Sequence, residues 1–499
     1  MSYLRTKSID ALIASAEGEH RLRKTLGPWS LTALGIGAVI GSGIFILTGT
    51  AAAGESLSFQ SILHAPVLDL LLHGSNALST SGRPAAGPGI ALSFLVTAIV
   101  CGFAGLCYAE LASMIPVAGS AYTYAYATLG EIFAWIIGWD LILEYAVSNM
   151  AVAVGFSAHF NEALAGLTGL RLPPQLSGPI FESGRYTGNW FNLPALLILM
   201  ALSWLLVRGV KESAGANSVM VVIKIAAILV FIFGAAGSIR PENWHPFLPN
   251  GYGGMVTGAA IVFFSYIGFD SVSTAAEECR HPQRDLPIGI IASLVVCATL
   301  YIAVALVLTG IASYKTLNNA APVLTALKQL GYNHLTLWVG VGAIGGMLSS
   351  LLVYQYGQAR VWFAMSRDGL LPKMFSRVHP RHQTPHVSTW IAGLAVGIPA
   401  GVWDIGTFAD LSNIGTLFAF IVVSAGVLVL RAKQPERPRG FRVPLSPFLP
   451  ALSIVCCLVL MMGLPLETWV RFAVWLVIGL GIYFAFSRHH SGLAGATQR

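Results

Sequence analysis

The sequence predicts an all-α integral membrane protein with twelve transmembrane helices. They form a 5+5 inverted-repeat core with discontinuous helices 1 and 6, plus two peripheral helices. Three observations predict this. Of 499 residues, 55% are hydrophobic and 10% charged, with a mean hydropathy of +0.70; a soluble protein carries about 25% charged residues. Apolar runs of bilayer-crossing length recur near 29–53, 89–114, 131–160, 193–207, 217–237, 254–278, 287–310, 334–363, 386–403, 407–430, 449–463 and 469–487. Two of these runs, one in each half, are interrupted: Leu34-Gly35-Ile36-Gly37-Ala38-Val39-Ile40-Gly41-Ser42-Gly43-Ile44-Phe45 and Phe263-Phe264-Ser265-Tyr266-Ile267-Gly268-Phe269-Asp270.

In chain order, a polar tail (1–28) ends at Gly27-Pro28-Trp29, a helix start with an interfacial aromatic. It runs straight into the first span, so no cleavable signal peptide is expected. The first repeat covers 29–237 and the second 254–430, and the two overlay if 55–88 is an outer-loop insertion. Within that loop Val67–Leu72 is apolar but too short to cross, and reads as a surface helix. Five spans per repeat is odd, so the second copy is inverted in the membrane. Peripheral helices occupy 449–487, and 488–499 forms the second tail.

The net charge of +7 reflects topology rather than nucleic acid. With the N-terminus inside, twenty of the 29 Lys and Arg residues fall on the inner side, seven on the outer side and two within spans. This bias places both termini in the cytoplasm. The six cysteines fall mostly inside spans and suggest neither a disulfide framework nor a metal site. No metalloprotease, phosphate-loop or nucleophile-elbow motif is present, and no catalytic residue is assigned. An enzyme is not expected.

The breaks carry the chemistry. A helix interrupted within the bilayer leaves N–H and C=O groups unpaired, tolerable only where they face protein, water or ligand. Gly35 and Gly37 fail the dinucleotide-loop spacing and lack a preceding strand; close helix packing and unwinding both remain open for them. At Gly41-Ser42-Gly43, clustered glycine favours unwinding. The N–H groups of Ser42, Gly43 and Ile44 then sit at the positive end of the next half-helix, suited to a carboxylate. Around Gly268, exposed carbonyls suit an ammonium. Together they describe an α-amino acid, with other zwitterions open.

Several titratable residues stand out. Lys224 lies in the middle of the fifth span, roughly 10 Å inside its boundary, a costly position that implies a partner or cavity. Glu144, in the third span, could attract a cationic side chain or make a structural hydrogen bond. Asp140, one turn away, is expected to be solvated near the inner end. Asp270 follows the second break and could set its kink or relay protons. Glu277 and Glu278, at the inner end, read as a gate or as solvated pairs with Arg280 and Arg284. Arg360, Arg367 and Asp368 read as inner-surface anchors or gate pairs.

The interrupted first span, the Phe-Ser-Tyr-Ile-Gly-Phe-Asp stretch ending at Asp270, and Met365-Ser366-Arg367-Asp368-Gly369-Leu370-Leu371-Pro372 resemble the amino acid–polyamine–organocation transporter superfamily. Ser271-Val272-Ser273-Thr274-Ala275-Ala276-Glu277-Glu278 with Asp285-Leu286-Pro287-Ile288-Gly289-Ile290 is similar to its cationic amino acid transporter branch, bacterial members included. The 55–88 insertion departs from the shorter bacterial members. The resemblance implies that Ser42 and Gly43 hold the substrate carboxylate. It implies that Ile40, Phe264 and Ile267 offer carbonyls to the amino group, with Phe264 also closing over the substrate. It puts Tyr354 at a variable pocket position, where a helix-packing role is the alternative. Lys224 would take the place of a sodium ion, so that the proton gradient drives transport and no cofactor is needed.

The expected function is secondary active, proton-coupled amino acid uptake by alternating access, in a bacterial inner membrane. The alternative is exchange of amino acids or polyamines. A membrane amino acid sensor is less favoured, because the tails leave no room for an output domain. Expected partners are the amino acid and the bilayer, with no nucleic acid; the chain acts as a monomer or with a small membrane accessory subunit.

Overall fold

The computed structural model describes residues 5–16, 22, 24–56, 62–74, 82–182, 185–319, 321–403 and 405–491. Parts of both tails and the middle of the 55–88 loop lie outside these. In chain order the first helices are α1 (Ile9–Ala16), α2 (Pro28–Val39), α3 (Ser42–Ala53), α4 (Val67–His73), α5 (Ile90–Met114), α6 (Ala121–Thr128) and α7 (Glu131–Thr168). Then follow α8 (Pro174–Ser177), α9 (Leu193–Arg208), α10 (Val210–Ala235), α11 (Gly251–Val262), α12 (Ser271–Thr274) and α13 (Pro282–Ile311). The last are α14 (Pro322–Gln329), α15 (Asn333–Arg367), α16 (His386–Val402), α17 (Ile405–Lys433), α18 (Phe448–Met462) and α19 (Leu466–Ile482). Among the described residues, strands are confined to two short hairpin pairs, Glu55–Ser56 with Gly82–Arg83 and Phe181–Glu182 with Arg185–Tyr186.

Nine helical stretches among the described residues are long and apolar enough to cross a membrane, and α9, α16 and α18 are shorter apolar helices. All coincide with expected apolar runs. Pro28 opens α2, where a missing N–H costs nothing and the fixed φ suits the first turn. Gly209, at φ +155°, separates α9 from α10; an L side chain there would be strained.

The packing brings the broken segments to the centre. α2 lies against α10, α13 and α15; α3 lies against α11, and α12 against α2. α7 packs on α15 and α17, and α13 on α5.

Three elements depart from expectation. The tail read as polar contains α1, which buries Ile9 and Leu12, each 1% exposed, at the i, i+3 spacing of one helix face. Its Asp10 pairs with Arg437 at 2.7 Å, and that guanidinium holds the Asp10 carboxyl below the usual carboxylate range. α6 is an additional short helix between the second and third runs. Asp140 is not solvated but 0% exposed. It stands nine residues into α7, roughly 13 Å from the start of that helix at 1.5 Å per residue, and α17 covers it.

Candidate functional site

Both interruptions are breaks in the helix. α2 stops at Val39, Ile40 adopts φ −82° and ψ 88°, and α3 begins at Ser42. In the other half, α11 tightens into one turn at Phe263–Tyr266, and Ile267 is extended at φ −62° and ψ 137°. Gly268 has φ +117° before α12 begins. That angle belongs to the left-handed region, where glycine alone is unstrained.

The two breaks touch. A Cβ built on Gly43 would lie 2.5 Å from Ser265 Oγ and 2.8 Å from its Cα. One built on Gly268 would lie 2.6 Å from the Cβ of Ala38. Gly41-Ser42-Gly43 therefore serves close approach as well as unwinding. Gly35 and Gly37 are packing glycines: a Cβ on either would strike Ser293 of α13 or Asn217 of α10.

Lys224 is 0% exposed and does not snorkel. Its ammonium donates to the carbonyls of Gly37 (2.9 Å) and Ile40 (2.8 Å) and to Ser349 Oγ (2.6 Å). Ser350 Oγ lies within bonding distance of the Gly37, Ala38 and Ile40 carbonyls, at 2.8, 3.0 and 3.2 Å. The carbonyls freed by the first break are thus gathered by one ammonium and two hydroxyls from α10 and α15. Tyr301, on α13, places its hydroxyl 2.7 Å from the Val39 carbonyl and 2.9 Å from that of Ser265. One phenolic proton serves one of them at a time, so this group links both breaks.

The expected amino-group acceptors are distributed as follows. The Ile40 carbonyl accepts from Lys224 and Ser350; the Ile267 carbonyl accepts from Tyr354 Oη at 3.0 Å; the Phe264 carbonyl accepts the Ile267 N–H at 3.2 Å. Tyr354 thus reaches the second break directly. On the amide side, Gly41 offers no side-chain cap to α3, so the first-turn N–H groups of Ser42, Gly43 and Ile44 have no intrahelical acceptor. The hydroxyls of Ser42 and Ser265 are buried beside them without a protein hydrogen-bond partner. Buried polar atoms are normally paired, so the bonding capacity of these two hydroxyls is unused by the protein. Phe264, 4% exposed, and Ile44, 0% exposed, supply the apolar surroundings.

Glu144 is 1% exposed, and both its oxygens lack a hydrogen-bond partner. Asp270 accepts from Tyr145 Oη at 2.5 Å. Glu277 and Glu278 pair with α15 rather than with Arg280 and Arg284. Glu277 holds Arg367 in a two-pronged bridge at 2.8 and 3.1 Å and accepts the Ala118 N–H at 3.0 Å. Glu278 holds the wholly buried Arg360 at 2.7 Å. Asp368 accepts from Lys7 and from Tyr122, each at 2.7 Å. This layer ties the end of the second broken segment to α15 and to the N-terminal segment. Among the described residues no His, Cys, Asp and Glu group has metal-binding geometry.

A broken-helix centre with a buried lysine has close relatives. The branched-chain amino acid permease BcaP of Bacillus subtilis is 47% identical over 494 residues, covering 99% of each chain. The methylthioribose transporter of the same organism is 44% identical over 490 residues, 98% of this chain and 99% of that one. Cationic amino acid transporter 9, chloroplastic, of Arabidopsis thaliana is 36% identical over 447 residues, 87% of this chain and 72% of the plant protein. The family described as amino acid permease matches residues 26–483. The chain therefore belongs to that family, within the amino acid–polyamine–organocation superfamily, and is an integral membrane transporter rather than an enzyme.

Proposed function

We propose that this protein is a proton-coupled amino acid importer working by alternating access, with the substrate held where the two broken helices cross. One observation carries the reading. The carbonyls that the first break exposes are held by Lys224, while the amides of that same break face the second across Gly43 and Ser265. Loss of a proton from Lys224 weakens its charge-assisted bonds to Gly37 and Ile40 and loosens the strand of backbone that leads into the substrate amides. Protonation and substrate grip are then one mechanical event.

The substrate carboxylate sits on the Ser42, Gly43 and Ile44 N–H groups, with the Ser42 and Ser265 hydroxyls adding donors. The amino group takes the carbonyls of the second break, in exchange with the Tyr354 hydroxyl. Tyr354 and the surrounding apolar wall leave the side-chain end suited to a neutral aliphatic residue. The printed name of the 47%-identical relative, a branched-chain amino acid permease, supports leucine, isoleucine and valine. The nine long and three short apolar helices, at the expected positions, support twelve spans in a 5+5 inverted repeat with two peripheral helices. The Bacillus subtilis relatives support a bacterial cytoplasmic membrane, and the lysine and arginine bias supports both termini inside.

The test is uptake into proteoliposomes, acid outside, of each common amino acid in radiolabelled form. Branched-chain amino acids should accumulate against their gradient, and arginine and lysine should not. Downhill equilibration of leucine, with no effect of the pH gradient, would overturn the coupling.

A further inference from the structure

The segment from Gly369 to Trp403 holds no acidic residue. Its chain turns tightly between α15 and α16, and that turn is fastened to the end of α9. Thr384 Oγ1 donates to the Val207 carbonyl at 3.0 Å, serving one of the last α9 carbonyls, which lack an intrahelical donor. The His379 N–H donates to the Thr384 carbonyl at 2.8 Å, and His379 Nδ1 accepts the Arg381 and His382 N–H groups, each at 3.2 Å. Upstream, Phe375 rests edge to face on Trp362, and its carbonyl accepts from Ser388 Oγ at 2.5 Å. Arg377 and Arg381 are therefore carried on a braced segment whose Thr384 meets the residue before Arg208.

Arg208, Arg377 and Arg381 are exposed, and none of the three is in an ion pair among the described residues. Arg360, Arg367, Arg431, Arg437 and Arg439, by contrast, are each held by a carboxylate. Glu212, in the first turn of α10, lies over the backbone of Gly209 instead, where a Cβ would strike it. Arg208 sits over the Trp204 ring, 4.1 Å from its centroid. Trp204 is 50% exposed, as suits an interfacial aromatic. An apolar surface leads away from it: Leu197 on α9 and Leu394 and Ile398 on α16 are 56, 45 and 52% exposed. The two helices approach closely, because Gly393 and Gly397 lie against Ser203 and Leu196, so these apolar faces flank one seam.

We propose that this corner binds an anionic phospholipid. Its phosphate is taken by Arg208 with Arg377 and Arg381, and its acyl chains lie on the exposed faces of α9 and α16. A guanidinium meets phosphate oxygens through paired N–H bonds, and these three have no carboxylate to give up first. Charge alone would draw any anion; the apolar seam that ends at Trp204 selects one that brings acyl chains. The stacking of Arg208 and the bracing of the turn leave less to be ordered on binding. The site lies outside the broken-helix centre and uses neither the substrate nor the proton.

Native mass spectrometry of the full-length protein, titrated with a phosphatidylglycerol and with a phosphatidylcholine of the same acyl chains, tests the site. The wild type should retain phosphatidylglycerol in preference, and a triple variant, Arg208→Gln with Arg377→Gln and Arg381→Gln, should lose that preference. At about 1 kcal/mol per basic residue, each arginine removed weakens phosphatidylglycerol binding about fivefold. Arg284→Gln, which removes an exposed charge at the start of α13, should leave the preference intact. A wild type that binds the two lipids equally overturns the site. So does a triple variant with undiminished preference, or an Arg284→Gln protein that loses as much per charge. Inorganic phosphate that displaces phosphatidylglycerol at equal concentration would make this a soluble-anion site and end the lipid assignment. The wild-type comparison needs no variant, so it decides even where the triple variant folds poorly.

Discussion

Replacing Lys224 by Gln separates transport from its driving force. The substitution removes the ammonium and its bonds to Gly37, Ile40 and Ser349. It orphans little. The Ser349 hydroxyl can serve the Gly37 carbonyl at 3.0 Å while the Ser350 hydroxyl serves that of Ile40 at 3.2 Å. The glutamine amide can restore one donor. The structural loss is therefore that of about one charge-assisted hydrogen bond, roughly 1.5–3 kcal/mol, and the fold should survive. The functional loss is larger in kind. One pH unit is worth about 1.4 kcal/mol per proton, so a one-proton carrier accumulates substrate about tenfold per unit of gradient. Proteoliposomes with the membrane voltage clamped and graded pH steps read this directly. The wild-type accumulation ratio should rise with the step, and the Lys224→Gln ratio should stay near one, while exchange of internal for external leucine persists. A variant that still concentrates leucine in proportion to the pH step would remove Lys224 from the coupling mechanism.

Gly43→Ala should put a methyl against Ser265 and weaken leucine binding at least tenfold, about 1.4 kcal/mol; unchanged calorimetric affinity would place the carboxylate elsewhere. Glu277→Gln leaves Arg367 half-paired in a mostly buried position and should cost about 3 kcal/mol, read as a lower melting temperature in detergent together with faster labelling of a cysteine introduced nearby. A melting temperature equal to wild type would show the bridge to be inert. Asp10, held below the usual carboxylate range by Arg437, contributes above the unfolded carboxylate value and loses that contribution only as pH falls through its lowered folded value. The stability offset of Asp10→Asn should therefore be constant from about pH 5 to 8. An offset that vanishes within that window would contradict the pairing.

The breaks were legible because glycine has a local signature: Gly41-Ser42-Gly43 and Tyr266-Ile267-Gly268 disturb helix propensity where they stand. Lys224 was legible because its residue type is costly at the centre of a span. What completes the site carried no such mark. Tyr301 is one aromatic among many in this chain, and Ser349 and Ser350 are hydroxyls in an apolar helix, where the commonest use is a bond to the helix's own backbone four residues back, as Thr48 and Ser203 make here. Residue type could not show that these three turn outward to another helix's carbonyls. The acidic pairs failed for a related reason. Arg280 and Arg284 lie near Glu277 and Glu278 along the chain, but the partners are Arg367 and Arg360, 90 and 82 residues away, because the end of α15 packs beneath the second break. Asp140 shows the same limit: its place along the chain suggested water, and only the packing of α17 against it, with Gly415 leaving room for its carboxyl, shows that it is buried. Where the cost of a misplaced group is local, the sequence exposes it; where the compensation comes from a helix far along the chain, packing alone reveals it.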